Sequence, residues 1–190
     1  MQRVCVFIGA STGSNPLYYE AAIALGKYIA AKNITLVYGG ANIGLMGELA
    51  NSVLAYGGDV IGVIPKILSK KEIAHPKLTE LYVVDSIHER KKMMADLSDA
   101  FIAFPGGLGM LEETMEIWNA LKMNLCNKPL GILNINNFFN QLFAFLQNGV
   151  EEKFLEKKYY DLITINDDPK QLIDMILSLL TSTVIRGFPL

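Results

Sequence analysis

The sequence predicts an α/β fold, a doubly wound parallel sheet of about seven strands with helices on both faces. Two observations carry this reading. Short apolar runs alternate along the chain with longer helical patterns, the order that makes right-handed βαβ units. Several of the runs are apolar without alternation, as strands covered on both faces are. The 190 residues suit one domain, and a hydrophobic content of 51% is enough for a full core.

The elements follow in order. Val4–Ile8 (VCVFI) is the first strand, closed by Gly9, and Pro16–Ala31 the first helix. Thr35–Tyr38 (TLVY) runs into a Gly-Gly pair, with the helix Ile43–Ala55 after it. Val60–Val63 (VIGV) and Leu81–Val84 (LYVV) are the third and fourth strands. Between them lies the Pro-bounded loop KEIAHPKL, which places His75 at the surface. Ile87–Leu97 is a helix, Ala100–Phe104 (AFIAF) a strand and Gly109–Met123 a helix. Leu130–Asn134 (LGILN), Phe138–Gln147, Leu162–Ile165 (LITI) and Pro169–Leu180 continue the alternation. No linker, low-complexity segment or internal repeat divides the chain, so 1–190 reads as a single domain. The tail Thr181–Leu190 has no clear period and reads as a flexible segment or one that packs on a partner.

Composition removes several functions. With 17 basic against 19 acidic side chains the net charge is -2, so there is no basic footprint for a nucleic acid. The start, MQRVCVFIGAS, has one Arg and an apolar run too short for a signal segment or a membrane span. The expectation is a soluble cytoplasmic protein without a membrane partner. Cys5 and Cys126 form neither a metal pattern nor a disulfide framework, and Cys5 reads as a buried thiol.

In a doubly wound sheet, ligands bind outside the carboxyl ends of the strands. Three turns there are rich in small residues: Gly9-Ala10-Ser11-Thr12-Gly13, the stretch from Gly39 and Gly40 to Gly47, and Pro105-Gly106-Gly107-Leu108-Gly109. None completes a dinucleotide G-x-G-x-x-G or an NTPase P-loop. A strand, a glycine-rich turn and a helix still make an anion site, because orphan N–H groups and the helix dipole face the ligand.

The third turn is followed by Glu112 and Glu113, read here as first-turn residues of their helix. At about 100° per residue, Leu111, Thr114, Met115, Trp118 and Leu121 share the core-facing arc. Glu112 projects nearly opposite. Glu113 lies at the edge of the arc beside the loop mouth, which makes it the better site residue and Glu112 the better solvated one. Compensation of the helix dipole would account for one glutamate as well. In SIHERKKMMADL, Arg90 shares a helical face with Ile87, Met94 and Leu97, and a guanidinium on an apolar stripe needs an anion. A permanent salt bridge, to Glu113 among others, and a site pair read alike from sequence. His88 reads as a structural helix-start residue, Met93 and Met94 as core, and Trp118 as core or interface. Lys27, Lys91 and Lys128 have no setting that marks a Schiff base.

Together these residues are recognisable. HERKKMMADLSDAFIAFPGGLGMLEE resembles the Lonely Guy family of cytokinin-activating phosphoribohydrolases, many of which carry the older label "lysine decarboxylase-like". The family signature is an Arg-Lys pair followed by P-G-G-x-G-T-x-x-E, matched by Arg90-Lys91 and by Pro105 to Glu113. FIGASTG, YGGANIGLMG, VIGVIPK and KPLGILN match further turns and strands, so the resemblance covers nearly the whole chain.

The resemblance implies a homodimeric, Rossmann-like enzyme. It would hydrolyse the N-glycosidic bond of purine nucleoside 5′-monophosphates, AMP or N6-modified AMP, to free base and ribose 5-phosphate. Arg90 and Glu113 are then the catalytic pair. Gly9, Ser11, Gly39, Gly40, Lys91, Met94, Gly106, Gly107, Leu108, Gly109 and Met110 are then the substrate-binding residues. No cofactor and no metal are expected, and nothing supports the pyridoxal phosphate that the decarboxylase label implies. Three positions depart from the pattern. Met110 stands where the family has threonine, Ala41 where it has a third glycine, and Lys122 where relatives often have glutamine. A nucleotide- or pterin-cofactor carrier without turnover is the competing function, and pyridoxal-dependent decarboxylation the third.

Overall fold

A computed structural model describes residues 1–69 and 73–185, with side chains through residue 181. Seven strands form one parallel sheet: β1 (Arg3–Phe7), β2 (Thr35–Tyr38), β3 (Val60–Pro65), β4 (Glu80–Val84), β5 (Ala100–Ala103), β6 (Leu130–Leu133) and β7 (Ile163–Asn166). Their spatial order is β4-β3-β2-β1-β5-β6-β7, every neighbouring pair parallel. Strand order reverses between β1 and β5. The chain builds outward from β1 to β4, returns to the centre, and builds the other way.

The absence of alternation in the apolar runs has its cause here. Val4, Val6, Leu36, Tyr38, Ile102 and Phe104 bury one face of the sheet in a core with α1 (Pro16–Ala31), α2 (Gly44–Ala55) and α8 (Pro169–Ile185). Cys5, Phe7, Val37, Val63, Phe101 and Ile132 bury the opposite face against α4 (Ile87–Asp96) and α5 (Leu108–Lys122). Strand residues alternate in direction, but each direction meets a helix layer, so both sets are apolar. The edge strand β4 differs, leaving Leu81, Tyr82 and Val83 partly exposed.

The remaining helices are α3 (Lys66–Ser69), α6 (Asn140–Glu151) and α7 (Lys157–Tyr160), with a 3-10 turn at Ile135–Asn137. The sequence reading had no counterpart for α3, α7 or the 3-10 turn, because a single turn of helix leaves no period to read. Helix α8 continues to Ile185, so the expected tail begins inside it. Its last five residues, 186–190, lie outside the described residues. Among the described residues, no helix is long and apolar enough to cross a membrane.

His75 corrects an expectation. It is 4% exposed rather than a surface residue. Its backbone N–H donates to Gly40 O at 2.9 Å, and Ala74 bridges Ala41, which lays this segment against the second glycine turn. Nδ1 accepts from the Lys77 N–H at 3.2 Å, so the neutral ring carries its proton on Nε2, 3.1 Å from Asn51 Oδ1. Burial, with Lys77 nearby, lowers its pKa. The proline boundary suggested an open loop, and the tertiary contact with α2 closes it.

Helix starts differ in a way that positions the site. Asn15 caps α1 by accepting from the Leu17 N–H, Ser86 caps α4 from Glu89 N–H, and Asp168 accepts from Lys170 and Gln171 at the start of α8. Helices α2 and α5 have Ile43 and Gly107 at the N-cap and no side-chain cap. Their first N–H groups are left for something other than the protein's own side chains.

Candidate active site

At the carboxyl ends of β1, β2 and β5, across the point where strand order reverses, lies a cavity of about 590 Å³. This is the crevice that open α/β sheets use for ligands. Glycine builds it in two ways. Gly9 and Gly106 face each other backbone to backbone: a Cβ on Gly106 would lie 2.7 Å from Gly9 N, and one on Gly9 would lie 2.9 Å from Gly106 Cα. These two let the β1 and β5 turns touch. Gly107 and Gly109 have nothing within 4 Å of their missing Cβ atoms, so the backbone at the start of α5 is open to the cavity. The sequence reading gave all three loop glycines one purpose, and the structure divides them.

Helix α5 begins at Leu108, which places Glu113 in its second turn, beyond reach of the dipole at the N-terminus. Its first turn has no acidic residue, so dipole compensation does not explain either glutamate. The buried arc of α5 is Met110, Glu113, Thr114, Ile117 and Trp118, so Glu113 lies within the arc rather than at its edge. Its side chain is 8% exposed, and its Oε1 accepts from Arg90 Nη1 at 3.0 Å. Arg90, 15% exposed, also donates from Nε to Val63 O at 3.0 Å. Burial raises the Glu113 pKa above the ordinary carboxylate value, opposed by the adjacent Arg90 charge. Both side chains border the cavity.

Of the other residues expected at the site, Gly9, Ser11, Gly39, Gly106, Gly107, Gly109 and Met110 border the same cavity. Four do not. Gly40, with φ +76°, is a turn residue beneath the His75 segment. The Leu108 side chain is 85% exposed and points to solvent. Met94 is 1% exposed in the core between α4 and the sheet, as its own helical face indicates. Lys91 turns to the other side of α5, pairing with Glu112 at 2.5 Å and Glu116 at 2.6 Å, in a second cavity of about 340 Å³ that Glu113 also borders. Glu112 is thus half-exposed but paired. The sequence reading missed the apolar wall: Tyr18, Ile43, Met46, Leu68, Ile73 and Phe138. They come from five separate segments, and no local pattern joins them. Among the described residues, no lysine borders the cavity.

Met110 is buried, with the Thr114 hydroxyl donating to its carbonyl at 2.7 Å and lying 3.5 Å from its sulfur. Restoring a hydroxyl by Met110→Thr trades apolar burial for one bond to an anion. Such a bond is worth about 1.5–3 kcal/mol, so KM for a phosphorylated ligand is expected to fall at least tenfold. Loss of the buried side chain is expected to cost about 2 kcal/mol of stability. Steady-state kinetics beside thermal melting checks both, and an unchanged KM would mean that the hydroxyl finds no ligand oxygen.

Fold and site together define a doubly wound α/β protein with a crevice suited to a phosphorylated ligand. Known proteins are similar along almost the whole chain. The family model described as "Possible lysine decarboxylase" matches residues 46–176. Over 175 residues the chain is 44% identical to a protein of Oryza sativa subsp. japonica, "Probable cytokinin riboside 5'-monophosphate phosphoribohydrolase", spanning 92% of this chain and 72% of that one. Over 172 residues it is 42% identical to a cytokinin riboside 5'-monophosphate phosphoribohydrolase of Arabidopsis thaliana, spanning 90% and 81%. The solved structure of the molybdenum cofactor binding protein from Rippkaea orientalis superposes with a TM-score of 0.71 at 25% identity, covering 94% of this chain and 97% of that one. The chain belongs to the Lonely Guy family of cytokinin riboside 5′-monophosphate phosphoribohydrolases.

Proposed function

We propose that this chain hydrolyses the N-glycosidic bond of purine nucleoside 5′-monophosphates, AMP or an N6-modified AMP, giving the free base and ribose 5-phosphate. The observation that carries the proposal is the buried Arg90–Glu113 pair, one helical turn past an uncapped, glycine-opened helix start in the same cavity.

The phosphate occupies the start of α5, where orphan N–H groups and the positive end of the dipole face the open side of Gly107 and Gly109. Five residues on, about 7.5 Å along the axis, Glu113 stands beside the sugar. The C1′–N9 bond breaks with its electron pair going to the base, which takes up a proton. Positive charge then builds on the ribose, and the Glu113 carboxylate stabilises it. Water adds to C1′ and gives its proton to the same carboxylate, which releases it to solvent and so balances the proton the base takes up. Arg90 keeps that carboxylate ionised and offers its remaining N–H edge to a substrate oxygen. The apolar wall receives the base. Phosphate binding away from the reacting carbon holds C1′ in place.

Monophosphates are therefore expected to react far faster than nucleosides, by about 10²-fold or more in kcat/KM if the phosphate contributes two charged hydrogen bonds. Chromatographic measurement of adenine released from AMP and from adenosine decides this, and equal rates would remove the phosphate anchor. Binding of AMP with no release of base over long incubation would favour the carrier reading, to which Met110 and the likeness to a cofactor-binding protein lend support.

The same reading makes the enzyme a cytoplasmic homodimer that works without a cofactor, a metal, a nucleic acid or a membrane. Met123, Leu125, Phe145 and Phe154, exposed around the end of α5 and along and after α6, support an association surface. Sedimentation velocity tests it.

A further inference from the structure

We propose that Gly39 is a positioning residue for Arg90: its missing side chain is the slot that the guanidinium fills, and the slot fixes how Arg90 meets Glu113. The proposal rests on Arg90 and Glu113 being the reacting pair. A Cβ built on Gly39 would overlap Nη2 of Arg90 and lie 3.2 Å from its Cζ and 2.5 Å from Met46 Cε. The backbone at Gly39 is outside the left-handed region, so no turn geometry demands glycine there. What excludes a side chain is two other side chains. This sets Gly39 apart from Gly9 and Gly106, whose missing Cβ atoms face backbone that cannot move aside.

The guanidinium has little freedom to accommodate a methyl group. Nε is held by Val63 O and Nη1 by Glu113, which leaves Nη2 as the edge against Gly39. A planar fork with two edges fixed moves as a unit. Gly39→Ala therefore leaves the fold in place and drives Arg90 away from Glu113. The charged groups acting on Glu113 are Arg90, Glu112, Lys91 and Glu116, with the buried Cys5 thiol also within electrostatic reach. Of these, Arg90 is the one that lies against Gly39 and the one whose charge most favours the ionised carboxylate.

The test uses the full chain and its G39A, R90A and G39A/R90A variants. The first readout is NMR titration of the Glu113 carboxyl in protein labelled with ¹³C-glutamate and assigned with E113Q. G39A is expected to raise the Glu113 pKa in the same direction as R90A, and the double variant to move it no further than R90A alone. The second readout is release of adenine from AMP. In G39A kcat is expected to fall about 10²-fold, the effect of misplacing a reacting group by about an ångström, with no further loss when G39A is added to R90A. An unchanged Glu113 titration in G39A overturns the proposal whatever the activity does. If the unmodified chain releases no base from AMP while the titration moves as expected, the glycosidase reading falls and the slot stands. If G39A alone fails to fold, the double variant, in which the methyl group occupies vacated space, is expected to fold. Failure of both overturns the proposal.

Discussion

Glu113→Gln is expected to lower kcat for adenine release from AMP by about 10²–10⁴-fold, the range lost with a carboxylate that stabilises charge and accepts a proton, while KM stays within a few-fold. The amide oxygen still accepts from Arg90 Nη1, so the pair geometry and the fold survive. Stability provides a second signature. Burial raises the folded-state pKa of Glu113 above its ordinary 4.5. Between 4.5 and the folded value the native state therefore binds more protons than the unfolded state. The contribution of this group is fully present below 4.5 and is lost as pH rises through the folded pKa. Glutamine removes that slope. Thermal melts of both proteins across this window, beside pH profiles of kcat/KM, check the two effects together. The acidic limb of the profile is expected above 4.5. Wild-type turnover in the glutamine variant would show that another group does the chemistry.

Gly44→Ala is the substitution expected to cost most stability. Gly44 opens α2 with φ +50°, and a Cβ there would overlap the Ala10 carbonyl oxygen and sit 2.7 Å from Ser11 N. A left-handed alanine costs about 1–2 kcal/mol, and overpacking against backbone about 1–3 kcal/mol. The total, about 3 kcal/mol, corresponds to a fall in Tm of about 6–12 °C for a chain of this size. Gly57 is the control, with φ +75° and nothing within 4 Å, so Gly57→Ala carries the backbone strain alone. Scanning calorimetry of both variants separates the terms, and equal losses would mean that the α2 start does not press on the β1 turn. KM for AMP is also expected to rise in Gly44→Ala, since Ala10 and Ser11 border the cavity.

Much of the architecture was legible because its signal is local. Seven apolar runs and the six longer helices between and after them sit within a few residues of where the sequence places them. The helix Pro16–Ala31 agrees at both ends, since Asn15 and Pro16 mark its start in the chain itself. Arg90 and Glu113 were found by helical phase, a signal that survives translation into three dimensions, and the structure brings them into one ion pair. What escaped depends on contacts between distant segments. Lys91 follows Arg90 directly, yet successive helical residues diverge by about 100°, and it serves the opposite side of α5. His75 lies in a loop but is buried, its ring meeting Asn51 of the distant helix α2. The apolar wall from Tyr18 to Phe138 has no trace in any one window. Leu108 lies in the motif, but only its backbone faces the helix start, which residue identity does not reveal.

The contact between Gly9 and Gly106 has a bearing on when the site comes into being. It joins the turns at the carboxyl ends of β1 and β5, parallel neighbours in which Val4 lies opposite Ala100 although 96 residues separate them in the chain. Such a pairing closes a long loop and carries the entropic cost of doing so. Strands β1 to β4 and their helices can assemble from contacts nearer in sequence, but β5 must add to the free edge of β1 before the phosphate cradle exists. A nascent chain that has not yet released the segment through α5 has no binding cavity, however much of its sheet is formed. Nucleotide binding thus reports on a non-local step of folding, and a ligand added during refolding would act only after β5 has joined β1.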